Sequence, residues 1–279
     1  MKRSHRFGTK FVAKPQKGRT MLFAVQPTPK GRSADDLLES FRHVSQLADI
    51  ACITADVPKM GSRDRSNPLG EREQILSYLL KENKLKPFVQ IGITDNDSNA
   101  KDWEAFCLAY AEMFKPAHMI VIMEANRVFR PLTLRWCGYV SRLKGISDQM
   151  DNTMTGVSFQ CNAKKDLNAK MIHNIQNKVH FMGATIYPVL GETDIVPIKE
   201  SGLPWCVAEM GGSGLHQIDL VSQIPHEFRT AFMVNYMFST DTSLYGPEFE
   251  GFGLFDSDGN IRTGGQMWKD VIHAMNVSH

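Results

Sequence analysis

The sequence predicts an α/β protein built as a single (β/α)₈ barrel, on three observations. Eight apolar runs of strand length recur along the chain, and amphipathic segments at helical spacing lie between most of them. The runs are continuously apolar, as parallel strands covered on both faces require. The stretch after the first run, "QPTPKGRSADD", holds one glycine, so it lacks the Gly-x-Gly-x-x-Gly turn of an open doubly wound sheet.

The elements follow in order. "MLFAVQP" (21–27) is the first strand, and "SADDLLESFRHVSQL" is a helix opened by Ser33 with acids in its first turn, where the positive end of the helix dipole favours them. "ADIACITAD" (48–56) and "KPFVQIGIT" (86–94) are the second and third strands, each followed by an amphipathic helix, "GEREQILSYLLKENK" and "AKDWEAFCLAYAEMFK". "HMIVIMEAN" (118–126) is the fourth strand and "LTLRWCGYVSRLKGI" its helix. "GVSFQCN" (156–162), "HFMGATIYP" (180–188) and "PWCVAEMG" (204–211) are strands five to seven, with a helix around "KDLNAKMIHNIQN" after the fifth. "IPHEFRTAFMVNYMF" (224–238) reads as the seventh helix, "FEGFGLFD" (249–256) as the eighth strand and "GGQMWKDVIHAMN" as the closing helix.

Composition narrows the function classes. Residues 1–20 carry seven cations and no acid against a whole-chain charge of +2, which leaves −5 for residues 21–279. The expected organisation is therefore a basic, flexible tail (1–20) before a mildly acidic catalytic barrel (21–279), and an acidic body argues against nucleic acid as a partner. No run approaches the roughly 18 apolar residues of a membrane span. The given start lacks the apolar centre of a signal peptide, which favours a cytoplasmic protein. Five scattered cysteines, with no Cys-x-x-Cys, suggest buried free thiols rather than disulfides or a metal centre. His216 and His226 lack companion ligands, so no metal is expected.

In a barrel the site lies at the C-terminal ends of the strands. The polar residues falling there are Gln26, Asp56, Thr94, Asp95, Glu124, Asn126, Gln160, Asn162, Tyr187, Glu209 and Asp256. Two glutamates, Glu124 ending strand four and Glu209 ending strand seven, would face each other across the mouth. Glycosidic cleavage needs such a pair, one carboxylic acid to protonate the leaving oxygen and one carboxylate at the anomeric carbon, about 5 Å apart in retaining enzymes and roughly 6.5–9.5 Å in inverting ones. Tyr187, ending strand six, would adjoin Glu209, and its hydroxyl would favour the charged form. Asn126, Gln160, Asn162 and Asp56 are candidate contacts to sugar hydroxyls. The competing use of Glu124 is a structural ion pair with Arg127 or Arg130. Trp103, Trp136, Trp205 and Trp268 are expected to pack in the core.

These residues carry a family resemblance. "WCVAEMGGSG" resembles the strand-seven nucleophile motif of the retaining glycoside hydrolases of clan A, "GATIYP" their strand-six tyrosine segment, and "FGLFDSDGNIRTGGQMWKDVI" their last strand and helix. The likeness covers strands four to eight. It implies Glu209 as nucleophile, Glu124 as acid/base, Tyr187 as the partner of Glu209, a β-linked oligo- or polysaccharide substrate, and no cofactor. Met123 stands where the clan has Asn before the acid/base. The clan's strand-eight platform tryptophan is missing, with Phe252 or Phe255 as substitutes.

Two other functions compete. A non-catalytic carbohydrate-binding barrel would keep the cleft without the chemistry, and Met123 is consistent with it. Alternatively "GGSG" (211–214) could cradle a phosphate with backbone N–H groups, as in a barrel isomerase or lyase. Against that, Glu209 directly precedes the glycines, and its charge would oppose a phosphate dianion.

Overall fold

The structure is a computed structural model, and it describes residues 21–58, 68–93, 99–161, 165–187, 194–213, 217–218, 230–242, 244 and 247–277. Eight parallel strands close into a barrel in sequence order. They are β1 (Leu22–Val25), β2 (Ile50–Asp56), β3 (Lys86–Gly92), β4 (His118–Ile122), β5 (Met154–Gln160), β6 (Phe181–Ile186), β7 (Trp205–Met210) and β8 (Met233–Tyr236). The helices among the described residues are α1 (Ala34–Leu47), α2 (Glu71–Glu82), α3 (Ala100–Phe114), α4 (Ala125–Val128), α5 (Leu134–Gln149), α6 (Lys165–Ile175), α7 (Val196–Glu200) and α8 (Thr263–Val277). The expected tail, the loop residues 61–67 and 95–98, Thr94, Asn162, Gly214, His216 and His226 lie outside the described residues.

Local chemistry sets the helix starts. Ser33 accepts from Asp36 N–H at 3.0 Å while Asp36 accepts from Ser33 N–H at 3.1 Å, a reciprocal box that satisfies two otherwise orphaned donors at the start of α1. Asn99 and Thr133 cap α3 and α5 in the same sense.

Two apolar layers hold the barrel. Outward strand residues such as Phe23, Val89, Val121, Val157 and Val207 pack beneath the helices. Trp103, Trp136 and Trp268 are fully buried there and Trp205 nearly so, which bears out their packing role. Inside the barrel, Ala24, Cys52, Phe88, Ile120, Phe181, Cys206, Ala208 and Met233 form the filling. Gly156 makes room for it, since a Cβ there would lie 2.4 Å from the Phe181 ring. Four of the five cysteines are buried free thiols, and Cys137 on α5 is exposed, contrary to expectation.

The eighth strand is corrected. Met233–Tyr236 pairs with β1 in register Leu22↔Met233 to Val25↔Tyr236, so the closing strand falls within the segment expected to be helical. Residues 249–256 instead cross the mouth, with Phe255 held by isolated bridges to Thr240 and Ile261. A strand of four residues is too short to display a period-2 signature, and a run such as "FMVNYMF" suits helix equally well. The remaining seven strand positions agree with the sequence reading, with shifts at their ends.

Candidate active site

A cavity of about 570 Å³ opens at the C-terminal mouth, and Gln26, Asp56, Glu124, Gln160, Tyr187 and Glu209 line it. Six expected rim residues thus meet in one space. A second cavity of about 600 Å³ lies at the opposite end, beside Lys86, Lys115 and Lys269. It is the larger, but a single carboxylate, Asp49, lines it rather than a pair, and it sits at the N-terminal end of the strands, where barrels do not place their active sites.

Both glutamates are delivered by local irregularities. Ile120 pairs with Gly156 but Ile122 with the next residue, Val157, so Val121 is an extra residue in β4. Likewise Ala184 pairs with Val207 while Thr185 pairs with Glu209, which makes Ala208 extra in β7. Such bulges re-aim the side chains that follow. Ala208 fills the barrel interior, and the next residue, Glu209, still reaches the cavity. Glu124 then caps α4 in the left-handed region at φ 46, ψ 52, a strained placement for a non-glycine residue. Its N–H donates to Ser158 Oγ on β5 at 2.9 Å, fixing that turn to the neighbouring strand.

The two carboxylates differ in surroundings. Glu124 accepts from Arg127 Nη1 at 2.7 Å, so the ion pair anticipated as the competing use of this residue is present, with Arg127 rather than Arg130. Glu209 is 4% exposed. Tyr187 Oη donates to its Oε2 at 3.4 Å, and its Oε1 has no partner among the described residues. Burial, and then the charge of Glu124, push the Glu209 carboxyl up to about 8. The Tyr187 bond and Arg127 oppose that shift without overcoming it. The Tyr187 bond acts in the expected direction, favouring the charged form, but it is long and desolvation outweighs it. The Tyr187 hydroxyl is itself held well above its usual range by burial and the two nearby carboxylates.

Other expected residues divide. Gln160 and Asp56 line the cavity, with the Asp56 carboxylate lying over Gly92. Asn126 does not: its Nδ2 donates to Gln160 O and Asn168 Oδ1, each at 2.8 Å, and its Oδ1 accepts from Gln160 N–H at 2.9 Å. That amide is consumed in tying α4 to β5. Phe252 is 1% exposed and packs edge-on behind Phe238 and Phe249, which supply the aromatic wall of the cavity. The sequence reading missed Phe238 because it follows the misassigned β8, and Phe249 because it was placed at the start of a strand.

The glycines after β7 have packing roles. A Cβ on Gly211 would lie 3.1 Å from Phe252 and 3.3 Å from Tyr187. Gly212 N–H donates to Tyr236 Oη at 3.4 Å, and the same hydroxyl lies 3.2 Å from Gly212 O and 3.1 Å from Phe252 O. Among the described residues no group of three or more His, Cys, Asp or Glu could hold a metal ion. No helix among them is long and apolar enough to cross a membrane.

No protein-family model matches the chain, and no curated protein matches it by sequence. Solved structures do match by fold. A family 5 glycoside hydrolase from Bifidobacterium longum, in complex with Manβ1-4GlcNAc, superposes with TM-score 0.59 at 12% identity over 91% of this chain and 78% of its own. A psychrophilic family 10 endo-β-1,4-xylanase gives 0.66 at 10% identity, over 90% and 96%. A family 39 glycoside hydrolase from Bacteroides cellulosilyticus gives 0.65 at 13%, over 91% and 64%. At these identities the likeness speaks for the fold. The chain folds as the (β/α)₈ barrel on which these clan A glycoside hydrolases are built.

Proposed function

We propose that the protein is a retaining glycoside hydrolase acting on a β-linked oligo- or polysaccharide. The observation that carries the reading is the pairing of Glu124 and Glu209 in one cavity, close enough that the charge of one raises the proton affinity of the other. The reaction needs one proton between two carboxylates, and the raised Glu209 group retains one near neutral pH. The folds matched by the chain include enzymes that act on β-linked glycans, such as the endo-β-1,4-xylanase, which supports the substrate class.

In the proposed reaction Glu124 protonates the leaving oxygen while Glu209 attacks the anomeric carbon. Water, deprotonated by Glu124, then releases the sugar from Glu209. Tyr187 would steady Glu209 once it is charged, and Phe238 and Phe249 offer an apolar face to the sugar ring. The phosphate-cradle reading is weakened because Gly212 N–H already serves Tyr236 and Gly211 packs against rings.

The test is a panel of β-linked glycans with reducing-end detection, run on wild type, Glu124→Gln and Glu209→Gln. Release by wild type and loss in both variants is expected, with the product anomer retained by proton NMR. Glycan binding without release in any of the three proteins would make this a carbohydrate-binding barrel. An inverted product would remove the covalent step.

A further inference from the structure

The larger cavity, at the N-terminal end of the strands, takes no part in the carboxylate chemistry, and its walls are of a different kind. Its floor is apolar, built from Leu22, Phe23, Ile50, Pro87, Phe88 and Met233 where β1, β2, β3 and β8 begin. Phe88 and Met233 also belong to the packed filling of the barrel, so the floor is held in place from behind. At one side His118 stacks on Phe232 at 4.7 Å and meets Phe181 edge-on at 6.0 Å.

The rim is mostly cationic. Lys86 opens β3, where its backbone N–H donates to Asp49 O at 2.9 Å, and Lys115 caps the end of α3. Lys269, Ile272 and His273 share one face of α8 through their i, i+3, i+4 spacing, and all three line the cavity. Among the described residues the three lysine side chains have no ion-pair or hydrogen-bond partner. Against them stand Asp49 and the carbonyl ends of α1 and α3. Each helix end carries roughly half a negative charge, so three cations, one carboxylate and two helix ends leave about one positive charge. That balance suits a single anionic head better than a phosphate dianion, and the floor suits an apolar body.

We propose that this cavity binds a small amphiphilic monoanion, a carboxylate with an aliphatic body. The body lies on the floor that includes Phe88 and Met233, and the head turns towards the lysines of the rim. A volume of about 600 Å³ falls within the roughly 300–1,000 Å³ of small-molecule sites, which likewise pair apolar walls with a few polar groups. The two cavities lie at opposite ends of the strands, so this inference stands whether or not the mouth cleaves glycans.

The experiment is calorimetric titration of the full chain with octanoate, with acetate and octanol as companion probes. Acetate has the charge without the body, and the methylenes it lacks should make it at least about a hundredfold weaker. Replacing two rim cations together, Lys86→Gln with Lys269→Gln, should weaken octanoate about fivefold, because exposed cations each contribute modestly. The same double variant should bind octanol as wild type does, which also shows that it is folded. Ile272→Ser should weaken both octanoate and octanol. Octanoate binding no tighter than acetate, or equal in wild type and the lysine variant, would overturn the proposal. Octanoate binding that is lost in Phe249→Ser but kept in the lysine variant would place the ligand in the mouth cavity and overturn it as well.

Discussion

Replacing Glu209 with glutamine should flatten the dependence of stability on pH. The Glu209 carboxyl goes from an ordinary value of 4.5 to about 8 in the folded protein, chiefly through burial. Below pH 4.5 both the folded and the unfolded chain hold the proton, so the group has no differential effect. Between 4.5 and 8 the folded protein keeps a proton that the unfolded chain has released, so stability falls as pH rises through that window. At about 1.36 kcal/mol per pH unit, the loss amounts to ~5 kcal/mol as an order of magnitude. For a chain of this size that corresponds to a decline in Tm on the order of 10 °C from this group. Thermal unfolding followed by circular dichroism at pH 5 and pH 8 would measure it. Wild type should lose stability across the interval, and Glu209→Gln should lose far less. Glu124→Gln, which removes the second cause of the shift, should move the wild-type decline to lower pH. Parallel profiles for wild type and Glu209→Gln would refute the reasoning, because they would mean that Glu209 ionises in the folded state as freely as in water.

Three further substitutions separate binding from support. Asn126→Ala removes three hydrogen bonds, two from α4 to β5 and one to Asn168 on α6, and a loss of about 2–4 kcal/mol in urea unfolding is expected, with altered activity secondary to it. Tyr187→Phe removes a long hydrogen bond that favours charged Glu209, so kcat should fall about tenfold with little change in KM, measured at steady state on the active glycan. Gly211→Ala pushes a methyl group towards Phe252 and Tyr187 and should raise KM while leaving far-UV circular dichroism unchanged.

Much of this was legible in the sequence, and the failures have physical causes. The barrel followed from continuous apolar runs, because strands covered on both faces must be apolar throughout. Glu124 and Glu209 stood out because each interrupts such a run at its C-terminal end. β8 was misread because four residues cannot display a period, and "FEGFGLFD" imitates a strand through phenylalanines that in fact wall the cavity. Asn126 looked like a sugar contact because rim amides serve either ligands or backbone, and only the fold shows that Gln160 and Asn168 take it. The extra residues Val121 and Ala208 leave no mark in the sequence, since a bulge depends on the partner strand's register. The elevated proton affinity of Glu209 was equally hidden, arising from depth and from a residue 85 positions away.

The Tyr236 hydroxyl joins two pieces of the mouth that the chain keeps far apart. It sits between the backbone just past Glu209 and the backbone beneath the phenylalanine cluster. Anyone remodelling the aromatic side of the groove to admit a bulkier ligand would therefore pull on the segment that follows Glu209 through one phenol. The aromatic wall and the end of β7 share a hinge pin at that position, and a change made to one should be accompanied by a check on the other.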